Sequence, residues 1–137
     1  MKHFTLSELT GSLTAEACSI ANRPPAEAEA SLIVLAERVL DPLREAWGSP
    51  LYVTSGYRSA ALNRKVGGVA TSYHLRGMAA DITAKSVFYN TALYTEIRIL
   101  HQEGRLPLTE CYLSRQGTYI HLAYDPKNIN PQPFFTK

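Results

Sequence analysis

The longest periodic signal lies between Ala26 and Trp47, where Leu32, Leu35, Val39, Leu43 and Ala46 recur every three or four positions and Ile33, Ala36, Leu40 and Trp47 widen the stripe. That spacing predicts an amphipathic helix laying one face on a core. Pro42 removes a backbone donor and crowds the carbonyl four residues back, so a kink is expected there, and Gly48 is placed to end the helix. Upstream, Thr5 or Ser7 can cap a short helical segment around Glu8-Leu9, and Asn22-Arg23-Pro24-Pro25 reads as a loop.

Beyond Gly48 the apolar runs shorten. Leu51-Tyr52-Val53-Thr54 reads as a strand, Ser55 to Arg58 as a turn, and the segment from Ser59 to Gly67-Gly68 as a short helix. A loop from Val69 to Gly77 leads into Ala79-Ala80-Asp81-Ile82-Thr83, a short buried strand that presents Asp81 on one face. Ser86 can cap a helix running to His101 and stopping at Gly104. Thr109–Leu113 and Thr118–Tyr124 then predict a hairpin turning at Arg115-Gln116-Gly117. The last twelve residues, with Pro126, Pro131 and Pro133, read as an irregular tail packed on the surface.

This order fits an α+β protein with a small antiparallel sheet flanked by helices. At 137 residues a single domain is expected. Within it, residues 1–50 form an N-terminal helical part, 51–124 the core that carries the chemistry, and 125–137 the tail.

Composition narrows the function classes. Fourteen Lys and Arg against twelve Asp and Glu give a net charge of +2, and the basic residues are scattered singly, so nucleic acid is not an expected partner. No apolar run approaches the ~18 residues of a membrane span, and Met1 to Leu9 lacks an apolar leader. A monomer made in the cytoplasm is expected. The two cysteines, Cys18 and Cys111, sit in no C-x-x-C pair and read as buried thiols acting as small hydrophobes.

The chemistry concentrates in Ser72-Tyr73-His74-Leu75-Arg76-Gly77-Met78-Ala79-Ala80-Asp81, which sets an imidazole and a carboxylate on either side of a glycine hinge. A third ligand has to come from elsewhere. His121, in the run Thr118 to Tyr124, lies on the strand face of Tyr119 and Ala123 and can close the set. Two His and one carboxylate suit a zinc ion that keeps one position open. A lone His among apolar neighbours is commonly structural, and Asp81 alone could cap a turn, so the argument rests on the three together.

The pattern Ser72-x-His74-x-x-Gly77-x-Ala79-x-Asp81, preceded by Thr54-Ser55-Gly56-Tyr57-Arg58-Ser59 and by Ala61 to Gly68, closely resembles the zinc D-Ala-D-Ala carboxypeptidases and endolysin-like peptidases of the M15 family. The resemblance runs from about Phe4 to Tyr124 and is strongest from Val53 to Ile82. It implies an α+β fold shared with the hedgehog signalling domain. It also implies hydrolysis of peptide bonds in the stem peptides of bacterial peptidoglycan, after release of the protein to the wall.

On this resemblance His74, Asp81 and His121 look like the zinc ligands. Arg58 resembles the family's arginine that holds a scissile carbonyl oxygen or a substrate carboxylate. Ser72 is expected to buttress the ligand loop, and Tyr57, Tyr73 and Tyr119 to line a substrate groove. Zinc would activate a water and polarise the carbonyl while a carboxylate moves the proton.

The family usually keeps a Glu shortly before its final His, but residues 114–120 contain no carboxylate. Glu110 is the nearest upstream acid. A two-residue turn at Arg115-Gln116 would set Glu110 directly opposite His121 and on its face, making it the candidate base. Asp125 and Glu103 are weaker candidates. The alternative function is a catalytically impaired, zinc-containing domain that only binds wall peptides.

Overall fold

A computed structural model describes residues 1–137. Six α-helices surround a four-stranded antiparallel sheet: α1 (Leu6–Thr10), α2 (Leu13–Ala17), α3 (Ala26–Leu35), α4 (Asp41–Trp47), β1 (Tyr52–Ser55), α5 (Ala60–Lys65), β2 (Ala79–Thr83), α6 (Val87–Gln102), β3 (Glu110–Leu113) and β4 (Ile120–Ala123). The fold is α+β, as the element order predicts. No helix is long and apolar enough to cross a membrane.

The predicted helix from Ala26 to Trp47 is continuous, but its middle differs from expectation. Residues Ala36–Leu40 form a π turn, in which the Asp41 N–H donates to the Ala36 carbonyl five residues back. Pro42, in the first turn of α4, cannot donate to the carbonyl four residues earlier and would crowd it. Widening the helix by one residue is a known way to pass such a point. Leu32, Leu35, Ala36, Val39, Leu40 and Leu43 are all buried, so the stripe survives the π turn. Gly48 ends the helix in the left-handed region, as expected.

The sheet order is β1-β2-β4-β3. Alternation splits its residues cleanly. Ala80, Ile82, Cys111, Ile120 and Leu122 belong to one buried apolar cluster with Leu32, Leu35, Val39, Leu93, Ile97 and Leu100 of the helices. Asp81, Glu110, Tyr112 and His121, at the alternate positions, therefore share the opposite face. Asp81 pairs with His121, and His121 with Tyr112, so these three stand in one row across β2, β4 and β3.

That register corrects the hairpin prediction. Glu110 pairs with Ala123 and Tyr112 with His121, so Glu110 is diagonal to His121 rather than opposite it. The connection is longer than two residues: Gly117 N–H reaches the Ser114 carbonyl, and Ser114 Oγ accepts from the N–H groups of Thr118 and Tyr119. Because the offset is two residues, Glu110 keeps the predicted face.

The tail is also more ordered than predicted. Phe134 bridges Cys111 in parallel, with Cys111 N–H donating to the Pro133 carbonyl and Phe135 N–H to the Cys111 carbonyl, so the segment lies along the outer edge of β3. His101, in the last turn of α6, sets its two ring nitrogens 3.1 Å from the Leu106 carbonyl oxygen and 3.3 Å from the Pro131 carbonyl oxygen and packs edge-on against Phe134. Of the thiols, Cys111 is buried as predicted, whereas Cys18 is exposed just after α2.

Candidate metal centre

The first candidate ligand sits on a single 3₁₀ turn, Tyr73–Arg76, capped by Ser72, whose Oγ accepts from the His74 N–H at 3.2 Å. The turn ends at Gly77, with φ of +70°, and a Cβ there would meet the Ala28 carbonyl oxygen at 2.2 Å. Glycine is thus required twice, by the backbone angle and by the close approach of α3. The reversal brings the chain straight into β2, where Asp81 is the third residue.

His74 is buried, and its Nδ1 lies 2.7 Å from the Gly56 carbonyl oxygen. A carbonyl only accepts, so the proton is on Nδ1 and the lone pair of the neutral ring is on Nε2. That Nε2 is buried and has no hydrogen-bond partner. It points at Asp81 Oδ1, 3.3 Å away, and the same oxygen lies 2.9 Å from His121 Nδ1. The remaining ring nitrogen of His121, Nε2, lies 2.9 Å from Glu110 Oε1.

Charge follows this arrangement. Burial disfavours ionised Asp81, but the hydrogen bond from His121 and the closeness of both imidazoles outweigh it and hold the carboxyl well below the ordinary range. Burial likewise works against a charged His121, and is outweighed by its hydrogen bonds to Asp81 and Glu110, which raise its pKa. The hydrogen bond from His121 lowers the pKa of Glu110. Without a metal, His121 is satisfied when protonated on both nitrogens and bridging two carboxylates, whereas His74 Nε2 is left without a partner.

A zinc ion fits the same atoms. One ligand atom each from His74, Asp81 and His121 lie within 4.8 Å of one another. Tetrahedral bonds of about 2.0–2.1 Å place ligand atoms about 3.3 Å apart, close to the 3.3 and 2.9 Å found between Asp81 Oδ1 and the two imidazoles. The unpartnered His74 Nε2 is the sharper observation, since a buried lone pair with no donor is costly unless an ion takes it. Both rings also have their far nitrogens held, by Gly56 and Glu110, in the manner of metal-ligating histidines.

The three residues line a cleft of about 460 Å³ with Arg58, Ser72, Tyr73, Glu110, Tyr112 and Tyr119 among its walls. The site residues singled out from the sequence are therefore brought together, apart from Tyr57, which was expected to line the groove, and the weaker acids Asp125 and Glu103. Tyr57 turns into the core at 7% exposure, Asp125 holds Asn128 and the Lys127 N–H in a turn, and Glu103 pairs with Arg105. Tyr112 stacks on His121 with ring centroids 4.8 Å apart, and Phe135 and Lys137 enter from the tail. Sequence reasoning missed all three, Tyr112 for want of the register and the others because the tail has no periodicity.

Arg58 is held by its neighbours. Its N–H donates to the His74 carbonyl, Tyr57 N–H to the Leu9 carbonyl, and Ser59 N–H to Asn22 Oδ1. The Asn22 amide donates in turn to the Thr10 and Tyr57 carbonyls, both at 2.9 Å. Gly68 passes so close that a Cβ would lie 2.1 Å from Asn63 Oδ1 and 3.1 Å from Arg58 Nη1. The guanidinium thus enters the cleft between a braced turn and a loop that has no room for a side chain.

No curated protein matches the chain. A family model for Peptidase M15 matches residues 2–123, a span that contains every residue of the His-Asp-His set, Arg58 and Glu110. The chain belongs to the peptidase M15 family, and with that membership it is a metallopeptidase.

Proposed function

We propose that the protein is a zinc peptidase that hydrolyses stem peptides of bacterial peptidoglycan. The observation that carries this reading is the buried, unpartnered His74 Nε2, facing Asp81 and His121 at the base of a cleft that also holds Arg58 and Glu110.

His74 Nε2, Asp81 Oδ1 and His121 Nδ1 would hold the ion. Zinc bound there supplies Lewis acidity, polarising a peptide carbonyl and making water nucleophilic near neutral pH. Glu110 has two tasks. Oε1 accepts from His121 Nε2 and fixes that ring, while Oε2, which makes no hydrogen bond within the protein, can take a proton from the attacking water and pass it to the leaving amine. The Glu110 side chain is 38% exposed, so substrate can reach it. Arg58, which has no carboxylate partner, would stabilise the negative charge that develops on the carbonyl oxygen. Ser72 orders the turn carrying His74, and Tyr73 and Tyr119 line the walls against which a peptide would lie.

The wall-peptide-binding alternative drew on the missing Glu before His121. A carboxylate 2.9 Å from that His favours turnover instead. The test is to load the protein with zinc and incubate it with purified muropeptides. New free amines, or free D-alanine, are expected in step with added metal. Stoichiometric zinc and tight peptide binding with no new amine would instead support the binding domain.

A further inference from the structure

The row Asp81–His121–Tyr112 continues the site beyond the metal ligands. Tyr112 lays its ring on His121 at an interplanar angle of 22°, and its hydroxyl reaches the Tyr119 hydroxyl at 3.5 Å and Lys137 Nζ at 3.4 Å. An ammonium only donates, so the Tyr112 oxygen accepts from Lys137. The Tyr112 hydrogen is then directed either at Tyr119 or outward, and in either case one phenolic O–H remains without an acceptor in the protein.

Lys137 itself has no carboxylate partner: its contacts are the Tyr112 hydroxyl and the Tyr112 ring, 5.1 Å below the ammonium. The acid nearest this wall, Glu110, is bonded to His121. Phe135, 5.2 Å from Tyr112 ring to ring, adds an apolar border. Arg58 and Lys137 thus add to the cleft two cationic heads that no side-chain carboxylate pairs with. A cationic head beside spare O–H donors is complementary to a carboxylate.

We propose that Lys137, with the hydroxyls of Tyr112 and Tyr119, forms a carboxylate-binding subsite beside the metal ligands, so that the peptide taken by this cleft carries an acid group close to the bond at the metal. The inference rests on the peptidase reading for what the cleft is used for, and it assigns recognition of the acid to Lys137, leaving Arg58 for the carbonyl oxygen. The acid is either a chain-terminal carboxylate or an acidic side chain.

The test measures binding, which does not require turnover. Zinc-loaded full-length protein is titrated calorimetrically with two pairs of N-acetylated dipeptides: one pair differs in a terminal carboxylate against its amide, the other in a Glu against a Gln side chain. The acid of at least one pair is expected to bind about tenfold tighter than its amide, and the pair that does so identifies the source. In Lys137→Met that preference of acid over amide disappears, and Lys137→Arg retains it. Equal binding of acid and amide by the unmodified protein overturns the subsite. So does a preference that persists in Lys137→Met, which would assign the acid to the metal or to Arg58. A Lys137-dependent preference in a protein that cleaves nothing leaves the subsite standing and removes the peptidase reading; cleavage without the preference does the reverse.

Discussion

The ring of His74 and the carbonyl of Gly56 meet at 2.7 Å, and that single contact decides which nitrogen faces the cleft. With Nδ1 occupied, Nε2 faces Asp81 Oδ1 without a hydrogen-bond partner, as a metal ligand would. His74→Ala should therefore lower zinc affinity by more than the about 10–100-fold typical of losing an outer partner. Competition with a chromogenic chelator would measure it, and retention of stoichiometric zinc would remove His74 from the ligand set.

Glu110→Gln separates holding metal from moving protons. The amide oxygen can still accept from His121 Nε2, so zinc should stay within about tenfold of the parent affinity, while turnover falls by about 10²–10⁴. Steady-state rates beside metal analysis on the same preparation would decide; undiminished turnover excludes Glu110 as the base.

The metal-free protein should be most stable in mildly acid solution. Asp81 and Glu110 have folded pKa values depressed below 3.8 and 4.5, so their stabilising effect is complete above those values and lost as pH falls through the folded ones. His121 is raised above 6.5, so its contribution is complete below 6.5 and lost as pH rises through its folded value. The maximum thus falls between about 4.5 and 6.5. Zinc competes with the proton on His121 and should move it upward. Urea midpoints across pH, with chelator and with zinc, would show this; a chelated protein most stable at pH 8 would contradict it.

Gly77→Ala should cost about 2–4 kcal/mol, because the left-handed backbone and the Ala28 carbonyl both oppose a Cβ. The loss should extend to zinc binding, since the same turn presents His74. Thermal denaturation within about 0.5 kcal/mol of the parent would show that α3 can give way.

Asn22→Ala should cost about 2 kcal/mol, since three hydrogen bonds from one side chain tie Thr10, Tyr57 and Ser59 together. It should lower kcat/KM more than zinc affinity, because the freed turn carries Arg58 rather than a metal ligand. Equal losses in both would mean that the brace supports the whole site.

What could be read from the sequence had a local cause. His74 and Asp81 lie on either side of one glycine turn, and their spacing shows it. His121 was found through strand alternation, and Glu110 through the same parity, although the true register is offset by two residues. An even offset preserves the face, which is why a wrong pairing still led to the right side of the sheet. Tyr112 and Lys137 depended on long-range placement that no period encodes. The π turn escaped because a helical stripe tolerates one extra residue, and Asn22 because a braced loop and a free one share the same composition.

The tail's contact with β3 has a consequence for the protein in concentrated solution. An outer strand with unpaired N–H and C=O groups is a template on which another chain can assemble. Pro133 and Phe135 occupy that template through their bonds to Cys111, while Phe135 and Lys137 form part of the cleft wall. Peeling the tail away would therefore strip the cleft of that wall and bare a sticky edge in one event, so loss of selectivity and onset of self-association should appear together.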